Sequence, residues 1–483
     1  MSWYNEKDRV IGKIIIRAQI KNVSSLILGS GEDAMSDVDC VKLANNQAYI
    51  PGSVLTGCIW RKFEEINEFK EIIGNLWGTK NAKENDPISS QSHIMIEDSI
   101  SNGNGNDTAH FTVKDAVKIL HDTNQAKEGG KFDYEILEPE VTFDIKAEIT
   151  LRKGFDKDKY LKAAFYILSI LENDFHIGAK TNSGFGKMEV KDDSGKVFFF
   201  DFEEKLAGNK VDSWFEYLEA DGDVSKLISE PSPTDKIHFK GKADFSVDAK
   251  FKIKSSLLSR SYLVDADAPD HVHTHRNEKP DQPILYGSSI KGAIRHRAYK
   301  ILNTLKGEDY ANCVIDELFG YVRENKNGIN GDSKAKKGKI RIEESTINDV
   351  VHTEQTRIKI DRFTGGTIDG ALIQSRPVWS KGDEPNLTIK WSINNPSHDE
   401  ITLILMVLKD LWTADLAIGG DKAIGRGVLE GREATIIIDG ESATLTDGEN
   451  GFAIDGWEVL KLYNEWSKEN KKDDMTKDQK DAA

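Results

Sequence analysis

Apolar residues along this chain follow two periods, one of strands and one of helices. IGKIIIRAQI (11–20) and KADFSVDAKFKI (242–253) read as strands, and FDYEIL (132–137) alternates as a half-buried strand does. DKDKYLKAAFYILSILEN (156–173) and SHDEITLILMVLKDLWTAD (397–415) read as long helices, each followed by a glycine-rich loop and a last strand. A further helix is expected just after each opening strand and its loop. Each half then runs strand, helix, strands, helix, strand, the split βαβ order of a ferredoxin-like α+β fold. In such a module two helices cover one face of the sheet, and the other face and its loops are free to bind.

The two halves share landmarks, which marks an internal repeat. YIPGSVLTGCIWRKF (49–63) matches ILYGSSIKGAIRHRA (284–298), pairing Gly52 with Gly287 at an offset of 235. ILHDTNQAKEGGKFDYEIL (119–137) matches KIDRFTGGTIDGALIQS (359–375), pairing Gly130 with Gly370 at 240. IGAKTNSGFGKM (177–188) matches IGGDKAIGRGVL (418–429), pairing Gly178, Gly184 and Gly186 with Gly419, Gly425 and Gly427 at 241. Three pairs in register indicate a duplication. The expected domains are 1–200 and 237–440, with a linker at 201–236. That linker holds an amphipathic stretch at Trp214–Leu218 and a Ser-Pro break. Residues 441–483 are expected to carry a C-terminal helix, with Trp457, Leu460, Tyr463 and Trp466 at helical spacing, and then a mobile tail.

Length and composition agree with this division. The chain has 483 residues, 38% hydrophobic and 30% charged, which suits two or three globular domains. No signal peptide is expected from the opening MSWYNEKDRVIGKIIIRAQI, and no stretch approaches a membrane span. Cys40, Cys58 and Cys313 form no CxxC pair, which excludes a disulfide scaffold or cysteine zinc site and points to the reducing cytoplasm. The net charge of −16 weighs against phosphate binding. The acids crowd, however, into Asp201–Glu204, Glu216–Asp223 and Asp473–Asp481, leaving room for a local basic groove.

Basic residues gather at the glycine turns. A turn that opens a helix points backbone N–H groups outward and favours anions. Ser288 and Ser289 add donors in the second copy. Lys291 and Arg295 share a helix face, with Arg297 and Lys300 close by. The first copy offers Gly52, Ser53, Thr56, Arg61 and Lys62 around Trp60. In the glycine loops, Gly184, Gly186, Gly425 and Gly427 allow close backbone approach to a ligand, and Arg426 adds a charge. Alternatively the glycines are turns and the basic residues a solvated face.

IPGSVLTG and LYGSSIKG resemble the glycine-turn signature of the RAMP superfamily of CRISPR-associated proteins. The paired G-x5-G-x-G loops resemble that family's C-terminal glycine motif, and AKEGGKFDYEIL and IDRFTGGTIDGAL resemble the segment leading into its thumb. The similarity is greatest to backbone subunits of type III effectors, and two modules in one chain are similar to a fused III-D-like subunit. The resemblance implies tandem modified ferredoxin-like (RRM-like) domains with inserted thumb hairpins. It implies partners too: a crRNA guide, a complementary target RNA and other CRISPR effector subunits, with no membrane. It also implies target cleavage through an aspartate and a divalent metal, Mg2+ or Mn2+, with the 2′-hydroxyl attacking the adjacent phosphate. SDVDCVKL places Asp39 at that aspartate, with Asp37 as rival. In VDADAPDHVHTHRN it falls on Asp270, with Asp265 and Asp267 as alternatives.

His271, His273 and His275 form HxHxH, which on a strand could turn imidazoles toward one metal. That would make a metallohydrolase. The alternative is a polar loop that contacts RNA. A non-cutting RNA scaffold is the second reading, ahead of the metallohydrolase.

Overall fold

A computed structural model describes residues 9–31, 38–78, 91–102, 109–120, 125–203, 210–220, 222–225, 227, 229–231, 244–261, 269–276, 281–323, 334–447 and 453–455. Two compact units result. The first comprises Met1–Val113, Tyr134–Ala179 and Gly186–Gly241, and the second Lys114–Asp133, Lys180–Phe185 and Lys242–Ala483.

Short bridging pieces aside, the first repeat runs β1 (Val10–Asn22), α1 (Gly52–Glu64), β2 (Ile94–Ile96), β3 (Phe111–Ile119), β4 (Ala126–Leu137), β5 (Thr142–Arg152), α2 (Lys157–Glu172), β6 (Lys187–Val190) and β7 (Lys196–Asp201). Helix α3 (Lys210–Glu219) follows. β1 is central: β5 lies antiparallel along one side, with β2 beyond it, and β6 and β7 share the other side. Ile14, Ile16, Ala18 and Ile20 of β1 pack under α1 and α2. α2 starts where Asp156 accepts the Lys159 N–H at 3.2 Å, which satisfies one free donor of the first turn. Phe63 of α1 packs edge-on against Tyr166 of α2, ring centroids 5.5 Å apart.

The opposite face of this sheet is covered as well, unlike the free face expected from the pattern. Ile15, Phe198 and Phe200 form a second small core with Tyr217 of α3, and Trp214 packs against it. The stretch read as a linker thus carries a helix that docks on the sheet. Trp214 and Tyr217, three apart, fall on one side of α3.

The second repeat runs β8 (Phe245–Ile253), β9 (His271–His273), α4 (Gly287–Lys306), α5 (Glu308–Phe319), β10 (Ile340–Ile342), β11 (Gln355–Ile360), β12 (Thr367–Arg376), β13 (Leu387–Ile393), α6 (His398–Trp412) and β14 (Leu429–Ile438). Its sheet has the order β10-β13-β8-β14, extended by β15 (Glu441–Thr446) and β16 (Ala453–Asp455). Residues 441–446 are therefore strand, and the tail helix read around Trp457–Trp466 lies outside the described residues. β8 alternates: Phe245, Val247, Ala249, Phe251 and Ile253 are buried toward the helices. On its other side Asp248 pairs with Lys390 (2.8 Å) and Lys250 with Glu433 (2.8 Å), a polar sheet face. α6 opens with a capping box between Ser397 and Glu400.

Each repeat inserts a two-stranded hairpin, β3–β4 and β11–β12, before the second strand of its central pair. Apolar side chains along both hairpins are exposed. Val113, Val117 and Phe132 are exposed on the first, and Ile358, Ile360 and Leu372 on the second.

Candidate nucleic-acid interface

The glycine turns are built alike but charged differently. A Cβ on Gly52 would lie 2.3 Å from Ile96 O, and one on Gly287 2.4 Å from Ile342 O. Only glycine lets the helix start so close to the neighbouring strand. That strand runs into a fourth repeat landmark, IEDS (96–99) and IEES (342–345), beyond the three glycine pairs. Ser99 Oγ donates to Asp144 O (2.6 Å) and Ser345 Oγ to Thr388 O (2.5 Å), so the two segments sit identically.

Their acids diverge. In the first unit Asp98 Oδ1 accepts the Gly52 N–H at 2.7 Å and Oδ2 the Tyr49 hydroxyl at 2.6 Å, which holds the Asp98 carboxyl below its usual range. A carboxylate already occupies the anion position at this helix start. In the second, Glu344 pairs with Arg276 instead. Lys291 is half-buried there, and burial with the nearby Arg295 and Lys337 charges pushes its pKa down to about 8. The second turn is the electropositive one.

The other basic residues have varied surroundings. Ser53 and Arg61 are exposed, and Ser288 and Ser289 half-buried. Lys62 Nζ donates to Asp174 O at 2.9 Å, tying α1 to the end of α2. Arg295 donates to Gly320 O at 3.1 Å. Arg297 pairs with the buried Asp410 at 2.6 Å, so its charge holds α4 to α6. Arg426 is buried and faces Asp421 (2.9 Å), Gln355 Oε1 (2.6 Å) and Ser375 Oγ (3.0 Å).

The glycine loops superpose in their hydrogen bonds. Ile177 N–H donates to Gly186 O and Ile418 N–H to Gly427 O, both at 2.9 Å, while Gly186 and Gly427 donate to Ser25 O (2.8 Å) and Ser256 O (2.7 Å). A Cβ would lie 1.9 Å from Ile177 O at Gly186 and 1.8 Å from Ile418 O at Gly427. At Gly186 and Gly427 the close approach read as ligand contact is an approach to the chain's own backbone, whereas a Cβ on Gly425 would meet nothing within 4 Å. Gly184 and Gly425 close the short turns at φ +87° and +84°.

Both candidate aspartates lie beside the return strand of a hairpin. Asp39 is half-buried in the short strand Asp39–Cys40. Its neighbours meet β4: Val38 O accepts from Glu135 N–H (2.9 Å) and Cys40 N–H donates to Glu135 Oε2 (3.0 Å). Asp270 is exposed, and its Oδ2 accepts the Gln374 N–H of β12 at 2.8 Å. β9 then runs parallel to β12, with His271 opposite Ser375. The rivals Asp37, Asp265 and Asp267 lie outside the described residues.

The three histidines do not share one job. His273 is fully buried: Nδ1 accepts the Ser259 N–H (3.1 Å) and Nε2 donates to Ile284 O (3.1 Å). Burial pushes its pKa down to about 3, so it is a neutral core residue with no nitrogen left for a metal. The His275 ring lies 5.1 Å from that of His352 at a tilt of 44°, and burial first, then that neighbour, push its pKa down to about 4. Burial followed by Arg260 lowers the pKa of His271. Among the described residues no group of three His, Cys, Asp or Glu converges as a metal cage.

Two α+β repeats, each with an inserted hairpin and an aspartate-bearing segment at its base, define a tandem architecture. The RAMP superfamily profile matches residues 19–189 and 234–430, well over half of the sequence and one match per repeat; the chain belongs to the RAMP superfamily. No curated protein matches it. Among the described residues no helix is long and apolar enough to cross a membrane.

Proposed function

We propose that this chain is a tandem backbone subunit of a type III, III-D-like CRISPR effector, which binds crRNA in the cytoplasm beside other effector subunits and cuts complementary target RNA. Each repeat is a modified ferredoxin-like module whose hairpin is the thumb. The observation that carries the reading is the recurrence, in both repeats, of an aspartate-bearing segment fixed against the base of a hairpin with exposed apolar residues. Phe363 at the second tip is 99% exposed. A bare aromatic of that kind suits stacking on a nucleobase.

Asp39 and Asp270 are the proposed catalytic groups. In this reading each carboxylate takes the proton of a ribose 2′-hydroxyl as its oxygen attacks the adjacent phosphorus and the 5′-oxygen leaves. One carboxylate together with RNA phosphate oxygens suits Mg2+ or Mn2+, which when bound supplies Lewis-acid charge at the phosphate. The requirement for a 2′-hydroxyl makes RNA, not DNA, the substrate.

Binding tests the first half of the reading. Labelled single-stranded RNA is expected to bind the purified chain with an affinity that falls steeply with salt, a log–log slope of about −0.7 per phosphate contact. A slope near zero, or no binding, overturns the RNA-binding reading. The pH dependence identifies Lys291. Its free-state pKa of about 8 lies below the ordinary lysine value, and phosphate favours the charged form. RNA affinity is therefore full below pH 8 and declines as pH rises through 8, well before ordinary lysines titrate. In Lys291→Gln the affinity is lower and flat across that window. A wild-type decline that survives unchanged in the variant removes Lys291 from the interface.

A further inference from the structure

The second repeat carries a charge cluster of which the sequence motifs pointed only to Arg426. At its centre is Asp421, in the left-handed conformation (φ +56°) at the start of the glycine-loop turn. Three guanidinium groups converge on its carboxylate. Arg260 reaches Oδ1 at 2.5 Å, while Arg357 and Arg426 reach Oδ2 at 2.6 and 2.9 Å. One carboxylate cannot neutralise three cations, so the cluster keeps a surplus of two positive charges. These charges hold the Asp421 carboxyl below its usual range against the opposing effect of burial.

The three arginines differ in a way that suggests a division of labour. Arg426, its side chain 3% exposed, uses its remaining nitrogen on Gln355 and Ser375 and so pins the loop to both strands of the hairpin base. Arg260 and Arg357 are 39% and 34% exposed, and each touches Asp421 through one terminal nitrogen. An arginine fork has five donors. A single contact to a shared carboxylate leaves each fork with donors beyond the one it uses, and two such forks face water from one rigid anchor. A purely structural ion pair needs one arginine, and Arg426 already provides it.

The surroundings fix what the site would take. Asp270 and His271 adjoin it through β9, where His271 lies opposite Ser375, the residue that holds Arg426. Asp270 is the nearby second carboxylate, and it is engaged by the Gln374 N–H. Its charge reduces the surplus without reversing it. The first repeat has Lys180 and Phe185 where the second has Asp421 and Arg426, so the cluster is a property of the second repeat alone.

We propose that Arg260 and Arg357, held by Asp421 and Arg426, form a clamp for one phosphodiester of an RNA strand at the base of the second hairpin. The proposal rests on the RNA-binding reading above and deepens it. Bidentate arginine contacts suit phosphate oxygens. The clamp fixes the strand's register next to Asp270 without reading its sequence. It gives the second repeat a phosphate contact that the first lacks.

The test is a salt titration of a fluorescein-labelled single-stranded RNA of mixed sequence against the full chain, comparing wild type, Arg260→Gln/Arg357→Gln, single Arg260→Gln and a control, Arg432→Gln. Arg432 lies on β14 away from the hairpin, paired with Asp447 at 3.0 Å. The clamp predicts that the double variant loses about 0.7 of salt slope and roughly tenfold in affinity, with the control unchanged. If the double variant fails to fold by thermal melting, the single Arg260→Gln, the most exposed position of the three, carries the test with a smaller loss of the same sign. Wild-type RNA binding with an unaltered slope in the folded variants overturns the clamp and leaves the RNA-binding reading standing. Absence of salt-dependent RNA binding by wild type overturns both.

Discussion

The double variant Asp39→Ala/Asp270→Ala is expected to leave target RNA uncut in the assembled complex with Mg2+ or Mn2+, at least about a hundredfold below wild type. Guide binding should persist, because neither aspartate is among the basic residues proposed to hold the RNA. Asp270 is exposed and gives up a single hydrogen bond, to Gln374 N–H, at a cost of about 1 kcal/mol. Asp39 is half-buried on a two-residue strand. Each single variant should lose one set of products and keep the other, because the two repeats place their aspartates beside separate hairpins. Cleavage assays on the reconstituted complex read this directly. Unchanged products from the double variant would make the chain a scaffold that positions RNA for another subunit. Loss of all cutting in one single variant would assign the chemistry to that repeat alone.

What the sequence disclosed here was whatever is local and repeated. The helices at 157–172 and 398–412, the strand run at 132–137 and the paired glycines follow from period and spacing over a few residues, and the duplication doubles the glycine signal. What it did not disclose depends on partners far along the chain. Arg297 looks like one more cation beside Lys291 and Arg295, yet its partner Asp410 is 113 residues away. Arg426 reads as a loop charge until Gln355 and Ser375 close around it, 71 and 51 residues distant. His273 sits in a polar-looking run, but its neighbours in space are backbone groups of Leu257, Ser259 and Ile284. In each case composition registers the charge or ring and cannot register its desolvation. The acidic stretch after β7 misled for a related reason. Its charges suggested a linker, while two aromatics on one side of a short helix were enough to dock it on Phe198 and Phe200. The IEDS and IEES segments were legible, and a self-comparison of the halves at short word length finds them.

Gly427→Ala is expected to abolish the folded second unit, while Gly425→Ala, two residues away in the same loop, leaves it folded. Both glycines have positive φ, +79° and +84°, where an alanine carries about 1–2 kcal/mol of strain. They differ in the space around them. At Gly425 an added Cβ meets nothing within 4 Å, so the strain is the whole cost. At Gly427 it would fall 1.8 Å from Ile418 O, whose residue also donates to Gly427 O in the bond that closes the loop. Relief needs that bond to break and the segment around Ile418, between α6 and the loop, to shift, and the combined cost is more than about 4 kcal/mol. The first repeat should behave the same way at Gly186, where the clash is with Ile177 O at 1.9 Å. Thermal melting with limited proteolysis separates the outcomes. If Gly427→Ala melts like wild type and loses only RNA affinity, the glycine faces a ligand and the loop has room that its backbone contacts deny. If it fails to fold while Gly425→Ala folds and binds RNA normally, the G-x-G spacing records how tightly the loop presses on the last residues before it, and the loop's contribution to binding lies in the side chains it aims.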